Sequence, residues 1–146
     1  MELAELEARI THIEDVEAIK KLKAQYCEIC DDMHNPDRVT SVFVEDGIWE
    51  SEDFGLAKGH AEIKDLFQKF QDMFSFSQHN ISNPIIDVNG DAATAIWYLS
   101  GPWTFTENGD EKWFAIRYDD DYVKVNGEWK YKHLRASLRM TAERQT

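Results

Sequence analysis

The chain has 146 residues, 42% of them hydrophobic and 12% aromatic, and a formal net charge of −12. That length suits one domain, 1–146, burying roughly 70% of the surface its unfolded form would expose, and the composition excludes a disordered chain. The negative charge argues against nucleic-acid and anionic-membrane partners, which are held by clustered Lys and Arg, and no apolar run approaches the ~18 residues of a membrane span.

The start, Met1-Glu2-Leu3-Ala4-Glu5, lacks a signal-peptide apolar core, so the expectation is a soluble, cytoplasmic protein whose partner is a small neutral or apolar ligand. Leu3, Leu6, Ile10, Ile13, Val16, Ile19, Leu22, Tyr26 and Ile29 recur at three- and four-residue steps, the stripe of an amphipathic helix. Thr11 and Glu14 have capping-box spacing, which places the start of the main helix near His12 after a short lead-in. Tyr26 belongs to the stripe and faces the core. Asp31 falls about 40° around the helix from Cys27, so it flanks that buried face close to the C-terminal end. A carboxylate there opposes the helix dipole and needs a donor waiting for it. Cys27 and Cys30 have no second pair to complete a zinc site and read as core thiols, with no metal expected.

His34-Asn35-Pro36-Asp37 ends the helix, and a short helical turn runs on to Phe43. Strands at 44–50, with Trp49, and at 56–58 form a small hairpin. Ile63, Leu66, Phe67 and Phe70 predict a second helix over 61–74, with His60 as a solvated residue at its start. Asn89-Gly90, Asn108-Gly109 and Asn126-Gly127 then read as type I′ hairpin turns delimiting four antiparallel strands at 76–88, 92–106, 112–125 and 128–140. At ~3.3 Å per residue these would exceed roughly 40 Å if straight, wider than such a domain, so the sheet must curl. Pro84 and Gly101-Pro102 are the expected bends. Both faces of the second and third long strands carry apolar side chains. One face is therefore expected beneath the helices, and the other in a pocket or a homo-oligomer interface. Asp119-Asp120-Asp121 reads as a solvated turn or edge rather than a metal site, because neighbouring strand residues point to opposite faces.

Several local markers accompany this order of elements. They are Ala18-Ile19-Lys20-Lys21-Leu22 leading to Tyr26 and Asp31, His79 followed by Asn83, Trp97-Tyr98-Leu99, and Asn126-Gly127-Glu128-Trp129-Lys130. Together they resemble the SnoaL-like group of the nuclear-transport-factor-like superfamily, from about Ile13 to Arg139. That group includes scytalone dehydratase, bile-acid 7α-dehydratase and hexachlorocyclohexane dehydrochlorinase. The resemblance implies an α+β fold, a cone-shaped barrel with N-terminal helices packed on a strongly curved, mainly antiparallel sheet. It further implies a pocket working without metal or cofactor, in a dimer or trimer.

Carried onto this chain, the resemblance makes His79 the group that removes a proton from carbon. Asp31 would hold its tautomer and stabilise its charged form, and Tyr26 would donate to a leaving or carbonyl oxygen. Histidine suits the task because it titrates near neutrality and serves as base and then acid. Trp49, Trp97, Asn83 and Arg135 are the candidate substrate contacts. The implied activity is that of a dehydratase-type lyase or an isomerase acting on a small apolar ring compound with a carbonyl. Two other readings stay open, a non-catalytic ligand-binding or assembly module and a polyketide-type cyclase. The chain departs from the group at two points. Ser100-Gly101-Pro102-Trp103 stands where the bile-acid enzyme would have an acidic residue, and Tyr26 stands where the dehydrochlorinase would have lysine.

Overall fold

A computed structural model describes residues 1–143, so the last three residues of the domain expected over 1–146 lie outside it. Helix α1 runs unbroken over Leu3–Asp31, with Glu2 rather than Thr11 at its N-cap. The capping-box spacing is unused because the residues before it are already helical. Leu3, Leu6, Ile10 and Ile13 are exposed, and the stripe is buried only from Ile19 onward, where it meets the sheet. A 3-10 turn at Val39–Val42 leads into β1 (Phe43–Ser51), β2 (Gly55–Lys58) and helix α2 (Gly59–Met73). His60 is half-buried rather than solvated, its Nε2 lying 2.9 Å from the Phe43 carbonyl.

The strand expected over 76–88 is two strands, β3 (Phe74–Ser77) and β4 (Asn80–Asn89). Both pair antiparallel with β5 (Ala92–Phe105), β3 near Trp103 to Phe105 and β4 from Ala92 to Ser100. The break between them is imposed from across the sheet. Strand β5 runs unbroken through the expected bend at Gly101-Pro102, in register with β6, and there the Gln78 N–H bonds the Pro102 carbonyl at 3.1 Å. A Cβ built on Gly101 would stand 1.8 Å from the Gln78 carbonyl oxygen, so no side chain fits there. That approach ends β3 and turns the next residue, His79, out of the strand pattern.

Strands β6 (Glu111–Val125) and β7 (Glu128–Glu143) complete a seven-stranded sheet in the order β2-β1-β7-β6-β5, with β3 and β4 sharing the far edge of β5. The β1–β7 pairing is parallel, so the sheet is mixed although mainly antiparallel. It curls around the two helices as a half-barrel. Of the three Asn-Gly pairs only Asn126-Gly127 has the double positive φ of a type I′ turn, at 52° and 78°. At the other two only the glycine does, Gly90 at 63° and Gly109 at 72°.

The concave face carries Trp97, Leu99 and Trp103 of β5, Phe114, Ile116 and Tyr118 of β6, and Tyr131 and Leu134 of β7, all buried against the helices. The opposite face, expected in a pocket or a homo-oligomer interface, lies open in the single chain. Ile85, Trp113 and Met140 are 59%, 49% and 60% exposed. Asp119-Asp120-Asp121 lies mid-strand in β6 rather than in a turn. The alternation was correct, but it sends Asp120 into the core, where its carboxylate accepts a 2.8 Å bond from Lys23 Nζ. No helix among the described residues is long and apolar enough to cross a membrane.

Candidate active site

The Tyr26 to Asp31 spacing sets the site. Tyr26 sits one turn before the end of α1 on its buried face, and Asp31 is the last helical residue. Because the chain leaves the helix directly after it, Asp31 reaches sideways to the β3–β4 break. There it finds the donors that its unfavourable place on the helix dipole demands. Its Oδ1 and Oδ2 accept the His79 backbone N–H at 3.1 and 3.0 Å, and Oδ1 also accepts the Ser77 hydroxyl at 3.2 Å. The same Oδ1 lies 2.6 Å from His79 Nδ1.

A carboxylate can only accept, so Nδ1 carries the proton and the lone pair of Nε2 is left free. The His79 side chain is 4% exposed and stands edge-on to Trp103, ring centroids 4.7 Å apart. Burial holds the imidazole below its ordinary value, offset only in part by the Asp31 carboxylate. At neutral pH the ring is therefore a neutral, oriented base.

His79 lines a cavity of about 40 Å³. Its walls are aromatic, among them Trp49, Phe67, Phe70, Phe74, Trp103 and Phe114, and Tyr26, Cys30 and His34 supply its polar atoms. The Tyr26 hydroxyl accepts a 2.8 Å bond from Trp49 Nε1 and also interacts with the Cys30 and Tyr118 side chains. Burial pushes that phenol well above its ordinary range, so it acts as a neutral donor. A space of this size holds little more than a water or two. A ring-sized ligand must move some of the phenylalanines aside.

Of the residues expected at the site, the structure brings His79, Asp31, Tyr26 and Trp49 together. Trp97 is buried away from the cavity, donating to the Tyr122 hydroxyl at 3.1 Å. Asn83 is exposed with φ of 54°, within the β4 irregularity between Ser82 and Ile85. Arg135 is on the outer face, bonded to Asp121 at 3.0 Å and beside the close His133–Glu50 pair. Trp103, Cys30 and His34 were not anticipated as cavity residues. The four-residue step from Cys30 to His34 gave no such signal, because α1 ends at Asp31 and the positive φ of Met33 and His34, which turns His34 back to the cavity, leaves no periodic trace. Trp103 follows Gly101-Pro102 in β5, and only strand pairing shows that this stretch lies beside the Gln78-His79 break.

His34 is buried against Phe67, Phe70 and Phe74, and burial, together with the nearby His79, brings its imidazole down to about 3. The unfolded chain takes up that proton near the ordinary value of 6.5 and the folded chain does not. Stability from this group is thus complete above pH 6.5 and is lost as pH falls toward about 3, by ~1.4 kcal/mol per pH unit. Urea midpoints across this range should fall less steeply in His34→Gln than in the parent. Parallel slopes would refute the buried neutral imidazole.

Residues 11–135 match the SnoaL-like domain family. Among solved structures, a candidate scytalone dehydratase from Novosphingobium aromaticivorans superposes with a TM-score of 0.84 at 24% identity, covering 94% of this chain and 93% of that one. Hexachlorocyclohexane dehydrochlorinase LinA-type3 from Novosphingobium barchaimii superposes at 0.85 with 20% identity, covering 93% and 94%. A protein of unknown function with a cystatin-like fold from Nostoc punctiforme gives 0.70 at 26% identity, covering 85% and 90%. At their identities the first two show a shared fold alone.

Proposed function

The chain belongs to the SnoaL-like domain family, and from that premise we propose that it is a lyase of the dehydratase type, or an isomerase, that needs no cofactor and works through His79 and Asp31. The observation that carries the reading is the 2.6 Å contact between His79 Nδ1 and Asp31, which leaves Nε2 as the free base of an aromatic cavity. Nε2 takes a proton from carbon next to a carbonyl. Tyr26 donates to the oxygen on which charge develops, and Asp31 stabilises the imidazolium. In a dehydration the carbon–oxygen bond then breaks as the double bond forms, and the proton held by His79 leaves with the hydroxyl as water. In an isomerisation the same proton returns to a different carbon.

The substrate class follows from the walls. Flat apolar rings stack on Trp49, Trp103 and the phenylalanines, and the few polar atoms orient a carbonyl. The names of the dehydratase and dehydrochlorinase structures support the same class of elimination chemistry. The exposed Ile85, Trp113 and Met140 of the outer sheet face support assembly into a homo-oligomer.

The test uses a panel of aromatic polyketides, sterol ketones and chlorinated rings, incubated with the protein in D₂O. Binding is read by thermal shift, and exchange or elimination by mass spectrometry. Deuterium uptake next to the carbonyl, or loss of water or chloride, above the buffer rate is the expected result. Ligands that stabilise the protein without either change would leave a carrier and sink the enzyme.

A further inference from the structure

The cavity contains donors that proton transfer does not use. Cys30 stands in the last turn of α1 and His34 just past its end, where the chain turns through positive φ at Met33 and His34, the His34 N–H bonds the Cys30 carbonyl at 2.9 Å, and both side chains line the cavity. His34 is 5% exposed, and its ring, packed edge-on to Phe67 and Phe70, makes no hydrogen bond to any described residue. Its ring nitrogens open onto the cavity rather than being sealed in the core, and other donors face them there. The Cys30 sulfur and one ring nitrogen each of His34 and His79 all lie within 4.8 Å of one another.

We propose that Cys30, His34 and His79 form a binding site for a borderline-soft divalent cation of the Zn²⁺ class, with its fourth position open to the cavity. One thiolate and two imidazoles are a donor set such ions favour, and a site left open on one side suits three protein ligands. Bond lengths of ~2.0–2.3 Å in a tetrahedron put donors about 3.3–3.6 Å apart, so the longest separation must close by roughly 1 Å. Movement of the His34 ring toward the other two donors supplies that, with His79 held by Asp31. The orienting group is already in place. His79 donates Nδ1–H to Asp31, the arrangement that fixes a metal-bound histidine and raises its basicity.

The consequence for activity rests on the function proposed above. A cation on Nε2 occupies the lone pair that would take the substrate proton, so it inhibits, and a chelator restores turnover.

Titrating the chelator-treated full chain with Co²⁺ tests the site without any substrate. One ion per chain is expected, with a sulfur-to-cobalt charge-transfer band and the intense visible bands of four-coordinate cobalt, displaced by Zn²⁺. Cys30→Ser should remove the charge-transfer band. His34→Gln should weaken binding at least tenfold, and Asp31→Asn by about 10–100-fold. A weak six-coordinate spectrum that Cys30→Ser leaves unchanged would overturn the site. Should Cys30→Ser fail to fold, unchanged affinity and spectrum in His34→Gln would overturn it equally. Tight cobalt binding with undiminished turnover would leave the site standing and remove His79 as the base, so the two failures are distinguishable.

Discussion

Replacing His79 by Ala is expected to lower turnover by about 10²–10⁴-fold, the usual contribution of a positioned general base. Asp31→Asn should cost a comparable factor for a different reason. The asparagine amide can present a donor to Nδ1, which then becomes an acceptor and moves the ring proton to Nε2, so the base faces its substrate already protonated. Asp31 also accepts from the His79 backbone N–H and from Ser77, and thereby anchors the β3–β4 break. Asp31→Asn should therefore also lose about 1–3 kcal/mol of stability, because an amide set against those donors leaves one unsatisfied. Activity of the parent should rise with pH through a midpoint below 6.5, since burial lowers the His79 imidazole and only its neutral form is a base. Steady-state rates paired with urea midpoints check all of this. A folded variant of either residue with turnover within a factor of two of the parent would remove the pair from the mechanism.

Breaking the Lys23–Asp120 pair is expected to have the largest effect on stability. Both side chains are fully buried, with Nζ 2.8 Å from Oδ2 and 3.4 Å from the centroid of the Tyr118 ring. Tyr122 donates a second bond to Oδ2 at 2.9 Å, while Oδ1 has no partner among the described residues. Burial pushes the Asp120 carboxyl up against the pull of Lys23, so removing the lysine leaves an acid that can neither stay charged cheaply nor satisfy its donors and acceptors. Lys23→Met should cost about 3–5 kcal/mol, and Asp120→Leu a similar amount. The double variant should recover most of that loss, because two apolar side chains of similar volume fill the space without a desolvated charge. A double-mutant cycle on urea unfolding measures the coupling. Additive losses would show that the two charges do not hold each other.

This pair also marks where the sequence stopped being informative. The strand period sent adjacent aspartates of 119–121 to opposite faces, but it could not say that Lys23 waits on α1, 97 positions earlier, to neutralise the inward one. Likewise the apolar period showed a helix through Tyr26, yet which of its turns are buried depended on how far the sheet extends. Ile10 and Ile13 lie beyond it, although they satisfy the same pattern as Ile19.

What the sequence determined by itself is what local physics encodes: two amphipathic helices, the small hairpin, and long strands too long to stay flat. These follow from side-chain period and backbone freedom, although α1 begins at Leu3, nine residues before the expected start near His12, and the strand expected over 76–88 divides in two. The resemblance added the Tyr26, Asp31 and His79 set, of which Tyr26 and His79 line the cavity and Asp31 bonds His79. Only the tertiary structure decided the rest. The parallel β1–β7 pairing, the division of one expected strand into β3 and β4, the exclusion of Trp97, Asn83 and Arg135 from the cavity, and the arrival of Trp103 and His34 in it all depend on contacts between residues far apart in the chain. Such contacts leave no periodic trace, because each is specified by the shape of another element rather than by its own neighbours.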